Sequence, residues 1–178
     1  ASDVYKRQIS GCTVRNYTNR FVYVSLSGKI ESLTIDDCIF IGADNSTTNK
    51  AIYASSAHTQ VETLSVTNST FLNFNTGSNY FFRINCGEEL VLMPVVLIDH
   101  CTFYNCYDRR GVYLYNAGRS TIKNCISAFS ERRDDTKSFT AYGDESIVKN
   151  VISYNVDLYG SAPKENIISK NPLFVDAE

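Results

Sequence analysis

A short pattern that returns six times along the chain constrains its fold more than any other feature. Each copy has an apolar residue, two polar or turn-forming residues and then a small residue. The copies begin at Ile9, Ile35, Val66, Ile98, Ile122 and Val148. Successive starts lie 26, 31, 32, 24 and 26 residues apart, which is typical of stacked supersecondary units rather than of one globular core. The sequence therefore predicts a repeat protein.

A second short run follows each copy and alternates with period two, as in Phe21–Ser25 and Gly111–Tyr115. Alternation with β-branched and aromatic residues predicts a β-strand. In each of the five longer runs one parity is apolar and is expected to face a core. The other parity is expected to face outward, and it consists of Tyr23, Tyr53, Arg83, Tyr113, Thr140 and, in the shorter last run, Asp157.

The repeated pattern itself is expected to bend between its inward apolar residue and its inward small residue. Gly, Asn and Asp tolerate a left-handed backbone at such a corner, and the predicted corner residues are Gly11, Asp37, Asn68, His100, Asn124 and Asn150. Each repeat then contains three short strands. The prediction is an all-β fold, a parallel β-helix of about five to six turns with three strands per turn.

A leucine-rich repeat is the alternative fold, because Leu33–Phe40 and Leu64–Phe71 partly fit its strand motif. That fold needs a helix or a 3₁₀ segment on the return side of each repeat. Here the return side has the second alternating strand, and the following loops lack an apolar helical face.

The ends of the chain lead to an expectation about its boundaries. Residues 1–8 resemble the translation of a sequencing adapter and are set apart as a non-native segment. Residues 9–178 are expected to form a single β-helix domain that is truncated at both ends. Such a domain would leave unpaired strand edges, so we expect self-association through them.

Charge and hydropathy exclude two classes of partner. The chain has 17 basic and 19 acidic residues, scattered without a basic patch, so nucleic-acid binding is not expected. No apolar run approaches the ~20 residues of a membrane span.

Four of the six cysteines occupy the small-residue position of the repeat: Cys12, Cys38, Cys101 and Cys125. We expect them to be free thiols that point into the coil, because neighbouring positions in a parallel stack direct their Cβ atoms side by side. Cys86 and Cys106 lie outside this position, and a bridge between them stays open. The sequence has no closely spaced Cys/His cluster of the kind that binds zinc.

The corners Ile98–Phe103 and Ile122–Cys125, with the run Asn171–Asp176, resemble the pectin-lyase-like right-handed parallel β-helix superfamily. Within it the chain is similar to secreted or surface-attached β-helix domains, themselves uncharacterised, of polysaccharide-degrading bacteria. The resemblance implies a right-handed coil, a secreted or cell-surface location and a polysaccharide partner. Its motifs specify the fold more than the activity, since one fold hosts many functions.

By the same resemblance, saccharide binds on the outward face of the second strands, at Tyr23, Tyr53, Arg83 and Tyr113. Aromatic rings offer flat apolar faces to sugars, and an arginine can pair with a uronate carboxylate. Arg109 and Arg110 precede Tyr113 and complete the predicted substrate-binding set. The alternative is that these tyrosines only stabilise the sheet by stacking on one another.

Whether the chain is an enzyme stays open at this point. A uronate lyase would need a base and either calcium or basic residues to neutralise the substrate, but no cofactor is evident and nothing in the sequence supports calcium. A glycoside hydrolase would need two convergent carboxylates, whereas Asp157 is the one acid among the outward positions. His100 is expected to serve the turn. The two hypotheses are a polysaccharide-binding or polysaccharide-processing domain and a structural or adhesive spacer.

Overall fold

The computed structural model describes residues 5–17, 19–24, 29–42, 50–54, 60–74, 80–84, 94–106, 111–115, 117–130 and 137–174. These residues form strands joined by turns, and none of them lies in a helix. In chain order the strands are β1 (Tyr5–Ser10), β2 (Thr13–Val14), β3 (Arg20–Val24), β4 (Lys29–Asp36), β5 (Ile39–Ile41), β6 (Lys50–Ala54), β7 (Gln60–Thr67), β8 (Thr70–Leu72), β9 (Phe82–Ile84), β10 (Val95–Asp99), β11 (Thr102–Tyr104), β12 (Val112–Leu114), β13 (Arg119–Ala128), β14 (Lys137–Ala141), β15 (Ile147–Tyr154), β16 (Asp157–Tyr159) and β17 (Lys164–Ile168).

The strands pair in parallel and stack into a β-solenoid with two sheets. In the first sheet the long strands follow the order β1–β4–β7–β10–β13–β15–β17, and the short strands β2, β5, β8 and β11 stack beside them. The second sheet has the order β3–β6–β9–β12–β14–β16. One turn of the coil thus contains a long strand, a short strand and a second-sheet strand. A strand, not the helix of a leucine-rich repeat, forms the return side.

The predicted repeat is confirmed by the register of the first sheet. Ile9 pairs with Ile35, Ile35 with Val66, and Val66 with Ile98. The same column continues through Ile122 and Val148. Every residue of this column from Ile35 to Val148 is buried, so all six copies start at one inward position of the coil.

All six predicted corners adopt a left-handed backbone. Their φ angles are 63° at Gly11, 52° at Asp37, 50° at Asn68 and 53° at His100, Asn124 and Asn150. Two further sets of corners were not predicted. A seventh copy of the first corner lies at Asn166 (φ 49°), and a second corner after the short strands contains Asn16, Asn73, Asn105 and Asn155 (φ 51–58°).

Side chains at the first corner bond from one turn to the next. The Nδ2 of Asn166 donates to the Oδ1 of Asn150, and the Nδ2 of Asn150 donates to the Oδ1 of Asn124, at 2.9 and 3.1 Å. Asn124 in turn donates to Asp99 at 2.9 Å. Burial raises the pKa of Asp99, but its bonds from Asn124 and Lys123 outweigh burial, so the pKa lies below its ordinary value.

In most copies of the repeat the small residue is also a hydrogen-bond donor. The Sγ of Cys125 lies 3.0 Å from the carbonyl oxygen of Lys123, two residues earlier. Cys38 and Cys101 make the same contact at 3.2 and 3.4 Å, and Ser69 makes it through its hydroxyl at 2.7 Å. The thiol or hydroxyl is a second donor to this carbonyl, which also accepts the backbone N–H of the corner residue on the preceding turn, as Lys123 does from His100 at 3.3 Å.

The cysteine prediction is confirmed for three residues and corrected for a fourth. Cys38, Cys101 and Cys125 are buried free thiols, whereas Cys12 is a free thiol that is exposed. Cys12 lies on the first of the described turns, where no earlier strand covers its position. Cys106 is also buried, and Cys86 lies outside the described residues, so a bridge between the two stays open.

Aromatic side chains fill the core beneath the short strands. Phe40, Phe71 and Phe103 occupy one register column, and their rings stack with centroids 4.9 Å apart. Phe82 and Phe139 of the second sheet meet this stack edge-on. Both sheets therefore pack on one continuous apolar column.

Residues 5–8, which we expected to stand apart from the domain, continue β1 in register with β4. That residues 1–8 are non-native stays a prediction. Among the described residues, no helix is long and apolar enough to cross a membrane.

Candidate functional site

The outward residues predicted to bind saccharide lie in one column of the second sheet. Tyr23 pairs with Tyr53, Tyr53 with Arg83, and Arg83 with Tyr113. Thr140 follows Tyr113 in the same register. We call the outer side of β3, β6, β9 and β12 the tyrosine–arginine face.

Two arginines stack on the tyrosine rings of this face. The guanidinium carbon of Arg20 lies 4.2 Å from the ring centroid of Tyr23 and 4.6 Å from that of Tyr53. The guanidinium carbon of Arg83 lies 4.5 Å from the ring centroid of Tyr80, and its Nη1 donates to the hydroxyl of Tyr53 at 3.0 Å. Rings and cations thus alternate along the axis of the coil, which is the geometry of cation–π attraction.

At the β12 end of the column, Tyr113 is covered by other tyrosines. The ring of Tyr113 stacks on Tyr80 at 4.8 Å and on Tyr115 at 5.7 Å, and Tyr113 is only 5% exposed. Tyr115, 44% exposed, also meets Tyr142 edge-on at 5.3 Å. Tyr113 is therefore covered by the two rings that stack on it, and Tyr115 is the exposed ring of this part of the face.

The part of the face formed by β3, β6 and β9 has a basic character. Lys50 is largely buried beside Tyr53, and its Nζ donates to the carbonyl oxygen of Tyr80 at 3.2 Å. Within the described part of the chain, no carboxylate lies within 4.0 Å of the guanidinium group of Arg20 or Arg83. The Nε atoms of both arginines are buried and have no hydrogen-bond partner there. Two cations are thus held in place by rings, and no acid of the described ranges neutralises them.

Acidic groups of the second sheet lie away from these arginines. Asp157 of β16 pairs with Lys137 of β14 in the register of the sheet, and their charged groups are 3.4 Å apart. No second carboxylate joins Asp157 in the described ranges of this sheet. Over the same ranges no group of three or more His, Cys, Asp or Glu side chains is arranged to hold a metal ion.

Three residues that the sequence analysis singled out are not part of the described face. Arg109 and Arg110, predicted to extend the face, fall outside the described residues. His100 lies at a first-sheet corner, where its Nδ1 is 2.8 Å from the Oδ1 of Asp99. His100 therefore serves the turn, as predicted, and is not part of the tyrosine–arginine face.

Sequence reasoning missed Arg20, Lys50 and Tyr80, although the sequence has a signal for them. Each lies three residues before an outward residue: Arg20 before Tyr23, Lys50 before Tyr53 and Tyr80 before Arg83. Arg20 pairs with Lys50 in the register of the sheet. A basic or aromatic residue at this offset therefore lies at or just before the start of β3, β6 and β9.

Two kinds of group make up the tyrosine–arginine face. The rings offer flat apolar surfaces, and the guanidinium groups offer fixed donors for an anion. In comparisons with protein families, curated proteins and solved structures, nothing matches the chain.

Proposed function

We propose that the tyrosine–arginine face binds an acidic polysaccharide. The observation that supports this most is the pair Arg20 and Arg83, held on tyrosine rings without a carboxylate partner among the described residues. A uronate residue has both groups that such a surface recognises: a ring face for the tyrosines and a carboxylate for the arginines.

A polymer fits this face better than a small anion does. The arginines lie on β3 and β9, with β6 between them, and adjacent parallel strands lie roughly 4.8 Å apart. A chain that runs along the axis of the coil would meet rings and cations at intervals. Several weak contacts on one chain would then add to a useful affinity.

The proposal includes the finer features of the fold and the location. We propose a right-handed coil of five to six turns, because parallel strands are almost always connected with that hand. A secreted or cell-surface location follows from the same proposal, since acidic polysaccharides are met outside the cell. Processing by a glycoside hydrolase would need an acid pair, which the described residues do not bring to this face.

Affinity electrophoresis in native gels tests the proposal. Migration of the protein should be retarded by polygalacturonate in the gel and much less by the neutral polymer dextran. Arg83→Gln should weaken the retardation roughly tenfold, because a charge-assisted hydrogen bond contributes about 1.5–3 kcal/mol. Arg119→Gln is the matched control, since Arg119 is an exposed arginine on the first sheet.

The alternative function is that of a structural or adhesive spacer. The stacking of Tyr113 between Tyr80 and Tyr115 favours it, because these contacts stabilise the sheet without any ligand. Equal retardation by both polymers, or an equal effect of Arg83→Gln and Arg119→Gln, would favour the spacer and count against the binding face.

A further inference from the structure

Two inward columns of the first sheet lose their large apolar side chains at β13. One column has Val96 on β10 and, in register with it, Ser120 on β13. The other has Phe103 on β11, then Ser127 on β13 and Ser153 on β15. All five side chains are buried. A buried serine removes far less apolar surface from water than a valine or a phenylalanine does, so these columns stabilise β13 and β15 less than the earlier turns.

Two buried hydroxyl groups weaken the same turn of the coil further. Ser120 lies at the start of β13, and Ser138 lies on β14, the strand that follows β13 in the turn. Both residues are buried, and their hydroxyl groups make no hydrogen bond with the described residues. A buried polar group without a partner opposes folding, because it loses its hydrogen bonds to water and gains none in return.

A segment of the chain crosses these turns on their outer side. We call residues 169–174, which follow β17, the returning segment. The ring of Phe174 meets the ring of Tyr104 on β11 edge-on at 5.2 Å. Other residues of the segment line a cavity together with Ala128 of β13 and Tyr154 of β15. The segment therefore reaches from β17 back to β11, across both of the strands that contain the buried serines.

Side-chain packing, not hydrogen bonding, holds the returning segment on the coil. Within the described part of the chain its hydrogen bond is internal, from the backbone N–H of Leu173 to the Oδ1 of Asn171 at 3.0 Å, and no hydrogen bond joins it to the coil. Ala128 is only 1% exposed although it lies on the outer side of β13, because the segment and the flanking tyrosines cover it. Leu173 is 77% exposed and packs little, so we expect the ring of Phe174 to be the main contact.

The backbone of Leu173 indicates that the returning segment is held in one conformation. Leu173 has a φ of 50°, in the left-handed region that a large side chain rarely adopts. An unfavourable conformation of this kind persists where the surrounding contacts fix it. Here the turn at Leu173 places the next residue, Phe174, on the ring of Tyr104. The contact between the two rings therefore offsets the strain of the turn.

From these observations we propose that the returning segment is a strap that fastens β13 and β15 to the aromatic core of the coil. Where the interior has serines in place of large apolar side chains, the segment adds apolar packing on the outer side. Release of Phe174 then lets β13 and β15 open locally while the earlier turns stay folded. This proposal does not depend on the function proposed for the tyrosine–arginine face.

Hydrogen exchange of the backbone amides, followed by nuclear magnetic resonance on the full chain in dilute solution, tests the strap. Phe174→Ala should accelerate exchange in β13 and β15 roughly tenfold or more, because it removes an aromatic pair and its buried area. Exchange in β4 and β7 should stay unchanged. Leu173→Asn is the matched control: it alters an exposed side chain of the same segment, and asparagine tolerates the left-handed backbone. It should leave exchange in β15 unchanged.

Ser127→Val, added to Phe174→Ala, restores apolar packing inside the coil and should slow exchange in β15 again. Ser10→Val is its control, since Ser10 is an exposed serine on β1, and it should not slow that exchange. The proposal is overturned if Phe174→Ala leaves exchange in β15 unchanged, or accelerates β4 and β15 equally, as it would by unfolding the whole chain. It is also overturned if Leu173→Asn acts like Phe174→Ala, or if Ser127→Val slows exchange no more than Ser10→Val does.

Discussion

Asparagine at a corner of this solenoid both adopts a left-handed backbone and bonds to the next turn. Asn124 has a φ of 53°, accepts a hydrogen bond from Asn150 and donates one to Asp99. A side chain with a donor and an acceptor is needed for both bonds, and a short one is needed for the backbone. Few residues other than asparagine meet both conditions.

Substitution of Asn124 separates the two contributions. Asn124→Val places a β-branched side chain at a positive φ and removes both bonds, so unfolding should become easier by about 1–3 kcal/mol. Asn124→Gly keeps the backbone conformation and loses mainly the bonds, so its effect should be smaller. Denaturant titration of the two variants measures the difference, and a Val variant as stable as the Gly variant would contradict the assigned corner.

A corner could be predicted only where the sequence has an inward apolar residue before it and an inward small residue after it. Asn68 and Asn124 follow an inward Val or Ile and precede an inward small residue, so the repeat shows them. Asn73 and Asn105 lack that frame, because the second corner follows an outward residue. Asn166 comes 16 residues after Asn150, well short of the other periods, so a search for copies at regular intervals passes over it.

The cysteine column shows how one element is repeated with different chemistry at the same position. Cys38, Cys101 and Cys125 donate to a carbonyl through a thiol, and Ser69 does so through a hydroxyl. Val151 fills the position without a donor and is fully buried. The hydrogen bond with Cys101 and burial both raise the pKa of the Cys125 thiol above its ordinary value, so this thiol is unreactive while the coil is intact.

Alkylation without a reductant should distinguish Cys12 from the buried thiols. Cys12 should react in the folded protein because it is exposed. Cys38, Cys101 and Cys125 should react only after unfolding. Mass spectrometry of the modified peptides reads the outcome, and a Cys101–Cys125 disulfide or rapid labelling of Cys125 in the folded state would contradict the buried column.

The tyrosine–arginine face was predictable as an element but not in its details. Alternation of apolar and other residues predicted the outward column from Tyr23 to Tyr113, and the register confirms that column. The burial of Tyr113 could not be predicted, because it depends on the ring of Tyr80. Tyr80 lies in the loop before β9 and not in a strand. Arg20 was missed because it has the parity of the inward residues and yet turns onto the rings at the start of β3.

At the scale of the whole molecule, we propose that copies of the chain associate at the edge formed by β17. β17 pairs with β15 on one side, and no strand in the described ranges pairs with its other edge. Unpaired edges of this kind promote association between copies. Ile168, 41% exposed, adds an apolar residue to this edge.

We therefore expect association that increases with protein concentration. Sedimentation velocity over a wide concentration range should show species larger than the monomer, and Ile168→Lys should reduce them because a charge on the edge opposes pairing. Thr63→Lys serves as the control, since Thr63 lies in a paired strand inside the sheet. A monomer at every concentration would contradict open edges.

The central claim is that Arg20 and Arg83 receive the carboxylates of an acidic polysaccharide. Nuclear magnetic resonance of the arginine Nε–Hε groups during titration with trigalacturonate tests it most directly. We predict that the signals of Arg20 and Arg83 shift together, that the signal of Arg119 stays in place, and that the neutral trisaccharide maltotriose shifts none of them. Unmoved signals of Arg20 and Arg83 at saturating trigalacturonate, or equal shifts with maltotriose, would contradict the account.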